Sequence, residues 1–163
     1  MSIKEATLAR LQDAGIPFEL YAHAAVSSME DCMSLPFVTD DLLFCKNILL
    51  CNRQKTAYYF YVTLPDKAFR TADVSKKLGV SRLSFAPHED LPRLLSLESG
   101  SLSPLALWWD TEQRISLVLD RDIRSFARLA FHPCDHTATV VFSGSDFFDR
   151  LLPSLAHPPI EIA

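Results

Sequence analysis

Leu42-Leu43-Phe44-Cys45-Lys46-Asn47-Ile48-Leu49-Leu50-Cys51-Asn52 is the stretch whose reading decides the fold. It is a strand-forming apolar run with one polar pair set into it. Arg53-Gln54-Lys55 separates it from a second such run, Thr56 to Leu64, rich in Tyr, Phe and Val. Two runs of this composition joined by a short polar turn predict an antiparallel hairpin. Lys46 is the anomaly within it. Lysine is seldom buried without a partner, so its ammonium either lies on the exposed face of the strand or points into a polar pocket. In a regular pleat Asn47 faces the opposite side.

Working outward toward the N-terminus, Ser2-Ile3-Lys4-Glu5 has the capping-box form, predicting a helix over about residues 3–14 that Gly15 and Pro17 stop. Phe18 to Tyr21 alternates as a short strand ending at His23, and Ser28-Met29-Glu30-Asp31 caps a short helix that Pro36 ends. Beyond the hairpin, Thr71 begins a helix ending at Gly79, Leu83-Ser84-Phe85 is a short strand, and Pro87 opens a helix to about Leu95. Leu105–Trp109 and Ile115–Asp120 read as a second hairpin. Phe126–Phe131 and Thr137–Phe142 read as strands, and Ser143-Gly144-Ser145-Asp146 caps a last helix before a proline-rich tail. The aromatic clusters Tyr58-Tyr59-Phe60-Tyr61 and Trp108-Trp109 are expected in the core rather than as base-stacking surfaces. The expected architecture is α+β: one domain over residues 1–163, with a mixed, mainly antiparallel sheet flanked by short helices.

A hydrophobic fraction of 48% with 22% charged residues is that of a soluble globular protein. No run approaches the ~18 apolar residues of a membrane span, and the first residues lack the basic-then-apolar order of a secretory signal. A cytoplasmic protein without membrane contact is expected. Cys32, Cys45, Cys51 and Cys134 form no C-x-x-C pair and have no histidine at zinc-ligand spacing, so reduced thiols and no metal or cofactor are expected. Cys134 is two residues from His132, a poor arrangement for a thiol and its base. The net charge is −4, yet residues 46–82 carry eight Lys/Arg against two acids, a local balance of +6. One basic segment within an acidic protein suits contact with a polyanion over a limited patch.

The loop Gly100-Ser101-Leu102-Ser103-Pro104 concentrates backbone-directing residues in a chain with only four glycines. Glycine admits φ > 0 and close approach, and proline fixes φ, so such a loop can aim several N–H groups at one point.

Together these motifs resemble a known family. Lys46-Asn47-Ile48-Leu49-Leu50 is similar to its K-N-L-F-L strand, and Lys77-Leu78-Gly79 through Arg82-Leu83-Ser84-Phe85-Ala86 to its K-x-L-G-x-x-R-L-S-F-A turn. Residues 100–104 match its G-x-x-x-P loop, and His132-Pro133 with Thr137-Ala138-Thr139 resembles its H-P-x-x-N-T-A-T ending. The family is that of prolyl-tRNA editing domains: free-standing aminoacyl-tRNA deacylases of the YbaK and ProX type, and the insertion domain of bacterial prolyl-tRNA synthetases. The likeness runs collinearly over about residues 18–152. The chain departs from the pattern at His23-Ala24, where the family has His-Pro, at His136, where it has Asn, and at Cys45, where Thr is frequent.

The resemblance implies a barrel-like sheet, no cofactor, and hydrolysis of the ester joining a wrong amino acid to the acceptor end of tRNA(Pro). It implies Lys46 and Gly100 as catalytic residues, with Phe44, Asn47, Ser101, Leu102, Ser103, Pro104 and His132 binding the substrate. Alanine is the residue expected to be removed. Cysteine or serine removal, and a non-catalytic module binding tRNA or a synthetase, are the alternatives. Prolyl-tRNA synthetase is the implied protein partner.

Overall fold

A computed structural model describes residues 1–95 and 101–163, so Gly100 lies outside the described residues. In chain order the elements are α1 (Ile3–Asp13), β1 (Glu19–Ala22), α2 (Met29–Met33), β2 (Leu42–Phe44), β3 (Lys46–Cys51), β4 (Tyr58–Thr63), α3 (Thr71–Leu78), β5 (Ser84–Phe85) and α4 (Asp90–Leu95). A 3-10 helix (Pro104–Trp109), β6 (Ile115–Asp120), a second 3-10 turn (Arg121–Ser125), β7 (Arg128–Phe131) and β8 (Ala138–Ser143) follow. The chain ends with a helical stretch over 144–154, centred on a π turn (Phe147–Leu151), and β9 (Ile160–Ile162).

The predicted hairpin forms, but its first run is two strands rather than one. β3 pairs antiparallel with β4, Lys46 opposite Thr63 and Cys51 opposite Tyr58, whereas β2 pairs parallel with β7 in a different sheet. Cys45 is the crossing point. One sheet has the order β1-β8-β7-β2 and the other β5-β3-β4-β6-β9. Four of the seven pairings among the described residues are antiparallel, so the mainly antiparallel expectation holds. The strands make two open sheets, not the single barrel-like sheet the resemblance implied.

Burial explains why the deciding stretch is apolar on both faces. Leu49 of β3 and Phe60 of β4 join Leu129, Phe131 and Phe142 in the core between the sheets. Their neighbours Ile48, Leu50 and Tyr61 pack on the far face, against Val74 of α3 and Leu83. A sheet covered on both sides reads as a continuous hydrophobic run. On the outer face of the other sheet, Cys32 of α2 covers Leu42, Phe44 and Ala130. Phe60, Phe131, Phe142 and Phe147 are fully buried, and each stabilises the fold by ~1.5–3 kcal/mol.

Helix ends follow the sequence closely. Ser2 Oγ accepts the Glu5 N–H at 3.1 Å and Glu5 Oε2 accepts the Ser2 N–H at 3.2 Å, closing the predicted box. Gly79 takes the left-handed conformation, φ +69°, that ends α3.

Two further expectations fail. Leu105–Trp109 is a 3-10 helix, not a strand of a second hairpin: Pro104 sits at its first turn and Ser103 Oγ caps the Leu105 N–H at 3.3 Å. A short, wholly buried apolar run carries no period that separates the two. The proline-rich tail hides β9, which adds to β6 in parallel, Leu119 opposite Glu161.

Candidate active site

The break at Cys45 sets the site. A chain leaving one sheet for another must bend, and here the bend leaves both Lys46 and Asn47 lining the same cleft, of ≈ 320 Å³. The β3–β4 register is regular through Lys46 and Asn47, as the pleat expectation has it, and both residues nonetheless border the cleft at this strand end. Phe44 and Cys45 from the same bend, Leu102 from the polar loop and His132 beyond β7 complete the wall. Segments distant in sequence thus meet at one concavity.

Asn47 ties two of them together. Its Nδ2 donates to the Leu102 carbonyl at 3.4 Å and to the Cys45 carbonyl at 3.5 Å, while its Oδ1 is buried without a partner among the described residues. Lys46 is partly buried and has no ion-pair partner among the described residues. An ammonium without a counter-ion and an amide oxygen without a donor among the described residues, both at one cleft, are unspent binding capacity. In the loop, Ser101 and Ser103 are buried, and Ser101 Oγ lies 3.1 Å from His136 Nδ1. The N–H groups of Leu102 and Ser103 meet no acceptor among the described residues. Pro104 begins the buried 3-10 helix behind the loop and does not line the cleft.

His132 is held by its turn. Its Nδ1 lies 2.8 Å from the Ala138 carbonyl, which makes Nδ1 the protonated nitrogen and leaves Nε2 as an acceptor. The Cys32 thiol is 3.7 Å from Nε2. Burial pushes the imidazole below the ordinary histidine value, against the bond to Ala138, with His23 and His136 adding to the lowering. His132 is therefore neutral near pH 7. Burial also pushes the Cys32 and Cys45 thiols above their ordinary value, and Cys134 up to about 11. All four cysteines are free and buried, and Cys32, Cys45 and Cys134 are not thiolate nucleophiles near neutrality.

The sequence did not reveal Cys32, Val26, Met29 and His88 as cleft-lining residues, nor the roles of two of the three departures from the family pattern, His136 and His23. His136 fastens the polar loop through Ser101. His23 lies 2.8 Å from both the Ala24 carbonyl and Thr139 Oγ1, joining the β1 end to β8. Nothing in spacing links residue 32 to residue 132. The one available signal for His136 was its place in the turn after His132.

No group of three or more His, Cys, Asp or Glu side chains among the described residues could hold a metal ion. No helix among them is long and apolar enough to cross a membrane.

Comparison with known proteins accords with this geometry. The family model for the aminoacyl-tRNA editing domain matches residues 23–149. The chain is 29% identical over 146 residues to the prolyl-tRNA editing protein ProX of Acetoanaerobium sticklandii, covering 90% of this chain and 88% of that protein. It is 30% identical over 121 residues to prolyl-tRNA synthetase associated domain-containing protein 1 of Xenopus laevis, covering 72% and 71%. Among solved structures, that of a candidate trans-editing enzyme for prolyl tRNA synthetase superposes with a TM-score of 0.73 at 11% identity, over 99% of this chain and 96% of that one.

Proposed function

The chain belongs to the aminoacyl-tRNA editing domain family, and from that premise we propose that it is a trans-acting deacylase that hydrolyses the ester of mischarged tRNA(Pro), with alanine the residue removed. The supporting observation is the convergence of Lys46, Asn47, Leu102 and His132 on one cleft. The whole of residues 1–163 serves as one editing domain in the cytoplasm, working beside prolyl-tRNA synthetase, as the names of its relatives suggest.

In this reading the terminal ribose and its aminoacyl group enter the cleft. Water attacks the ester carbonyl carbon, the bond to the ribose oxygen breaks, and that oxygen takes the proton, releasing free amino acid and intact tRNA. An aminoacyl ester is already activated, so the protein's task is to hold it and to favour oxyanion charge. The N–H groups of Leu102 and Ser103, without an acceptor among the described residues, are the amide donors on hand, and Lys46 adds positive charge where negative charge develops. His132, neutral with Nε2 turned to Cys32, accepts a hydrogen bond without adding charge. The family likeness assigns water activation to the neighbouring ribose hydroxyl, so no side-chain base is required.

A cleft of ≈ 320 Å³ is larger than any aminoacyl group, so volume alone does not reject a pyrrolidine ring. Rejection of proline falls to shape at Phe44, Cys45 and Phe131, and a single site discriminates one methylene by only ~1–3 kcal/mol. Alanine-, cysteine-, serine- and proline-charged tRNA(Pro), each incubated with the purified protein, test the reading. Alanine is expected to be released fastest and proline spared. Preferred release of cysteine or serine would reassign the substrate, and binding of tRNA without release of any residue would overturn the hydrolase.

A further inference from the structure

The geometry points to a second site. A groove at the far end of β3 from the cleft binds the phosphate backbone of the charged RNA, with Arg53, Lys55 and Arg82 as the phosphate ligands and Phe85 as a stacking platform for an unpaired base. This rests on the deacylase reading above and locates the rest of its substrate.

The groove, of ≈ 490 Å³, lies between the β3–β4 turn and the segment around β5. Asn52 builds the turn: its Oδ1 accepts the N–H groups of Thr56 and Ala57 at 2.9 and 3.1 Å, and its Nδ2 donates to Thr56 Oγ1 at 2.8 Å. Lys55 is held there at φ 56°, a left-handed conformation that a side-chain-bearing residue adopts only when its surroundings impose it. Arg53 and Lys55 are thus presented from a fixed loop. The opposite wall is just as well anchored, since Ser84 pairs with Cys51 and Phe85 with Leu50 at the end of β3.

Two of the three charges there are not neutralised from within among the described residues. Arg53 and Arg82 are exposed and form no ion pair among the described residues. The carboxylate paired with Lys55 is that of buried Asp90, 4.0 Å away, which also accepts the Tyr58 hydroxyl at 3.1 Å. Phe85 is 62% exposed although its ring sits 5.6 Å from that of Phe69. Three cations around an exposed aromatic ring are what single-stranded nucleic acid requires: charge for its backbone and a flat apolar face for its bases. An acidic peptide would satisfy the cations and leave the ring unexplained.

The spacing also fits. Five residue steps of strand, from Lys46 to Cys51, span roughly 17 Å, a few nucleotides of extended chain. Pro87 lines the groove and His88 the cleft, so one short segment borders both. An RNA whose terminal ester lies at Lys46 therefore runs past Arg53 and Arg82 a few nucleotides back from its end.

Two substrates separate this proposal from the deacylase reading it rests on: alanyl-tRNA(Pro), and an alanyl ester of adenosine that fills the cleft but does not reach the groove. In Arg53→Ser/Arg82→Ser protein, KM for the charged tRNA is expected to rise at least tenfold with kcat little changed. Hydrolysis of the adenosine ester should equal that of the unaltered protein. The slope of log kcat/KM against log salt should fall by ~0.7–0.9 for each phosphate that the variant no longer neutralises, and Phe85→Ser should weaken tRNA binding at every salt concentration. Unchanged KM for the tRNA would overturn the groove's assignment and leave an acidic protein segment as its occupant. Equal losses on both esters would also overturn it, because the damage would then lie in the cleft. If the unaltered protein hydrolysed neither ester, the deacylase reading itself would fail.

Discussion

His132 and His157 are two sheltered imidazoles with opposite fates. Each has Nδ1 against a backbone carbonyl, Ala138 for the first and Leu155 for the second, at 2.8 and 2.5 Å. They differ at the other nitrogen. His157 Nε2 is bonded to Asp110 Oδ2 at 2.9 Å, and that carboxylate also accepts the N–H groups of Arg114 and Ile115. Among the described residues His132 Nε2 meets only a thiol at the edge of the cleft. The contrast extends to the neighbours. Asp120, buried in the other sheet, accepts from Thr63, Tyr61, Lys67 and the Asp122 N–H, whereas Lys46 has no counter-ion and Asn47 Oδ1 no donor among the described residues. Polar groups fully committed to the protein hold the fold; those with bonds still to make are available to a ligand.

Substitutions should respect that division. Lys46→Ala is expected to lower deacylation of alanyl-tRNA(Pro) by ~10²–10³-fold, the loss typical of removing one oxyanion-stabilising group, with an unchanged melting temperature. Retained activity would remove Lys46 from the working side of the comparison. Asp120→Ala should do the reverse, destabilising by about 3 kcal/mol with turnover per folded molecule preserved. That is the low end for a broken buried pair, because Lys67 is 35% exposed and keeps Asp122.

The sign of the pH effect at Asp120 is fixed by its partners. Burial alone would raise the carboxyl, but the bonds from Lys67, Asp122 and Thr63 outweigh it and hold the value below the ordinary 3.8. Its contribution is thus present above about pH 4 and lost as pH falls through the folded value. Acid unfolding of the Asp120→Ala protein should lack that step.

His157→Leu should cost about 2 kcal/mol, since Asp110 loses one of three donors, read as a melting temperature lower by about 4–8 °C with activity intact. The smallest effect is a pH profile. Burial keeps His132 below the ordinary value of 6.5, so deacylation should stay level from neutrality down through that value. It should fall only when the imidazole takes a proton, and in His132→Gln the acid limb should vanish. An acid limb centred at or above 6.5 would contradict the buried, neutral ring.

The sequence announced the strongly patterned parts of this molecule. Ser2 with Glu5 and Gly79 marked helix ends because capping is local chemistry, and Ile48 to Cys51 announced a strand because burial on both faces leaves nothing polar. What it concealed depends on the meeting of distant segments. Leu105–Trp109 reads equally well as strand or helix, since a segment buried all round has no polar face to betray its period. Ile160–Ile162 became a strand only because the edge of β6 was open to it. In the cleft, Lys46, Asn47, Leu102 and His132 were legible as unusual residues for their positions and through the family likeness. Cys32 was not, because its meeting with His132 exists only once α2 has folded over the sheet that ends at that histidine.

The crossing at Cys45 has a practical consequence for anyone altering selectivity. The cleft-lining side chains of this bend sit on the seam between two sheets, so their separation depends on how those sheets lean on each other. Behind the seam the rings of Phe131, Phe142 and Phe147 contact one another within the core that the two sheets share. Libraries that vary these rings together with the lining should reach acyl preferences that lining substitutions by themselves do not.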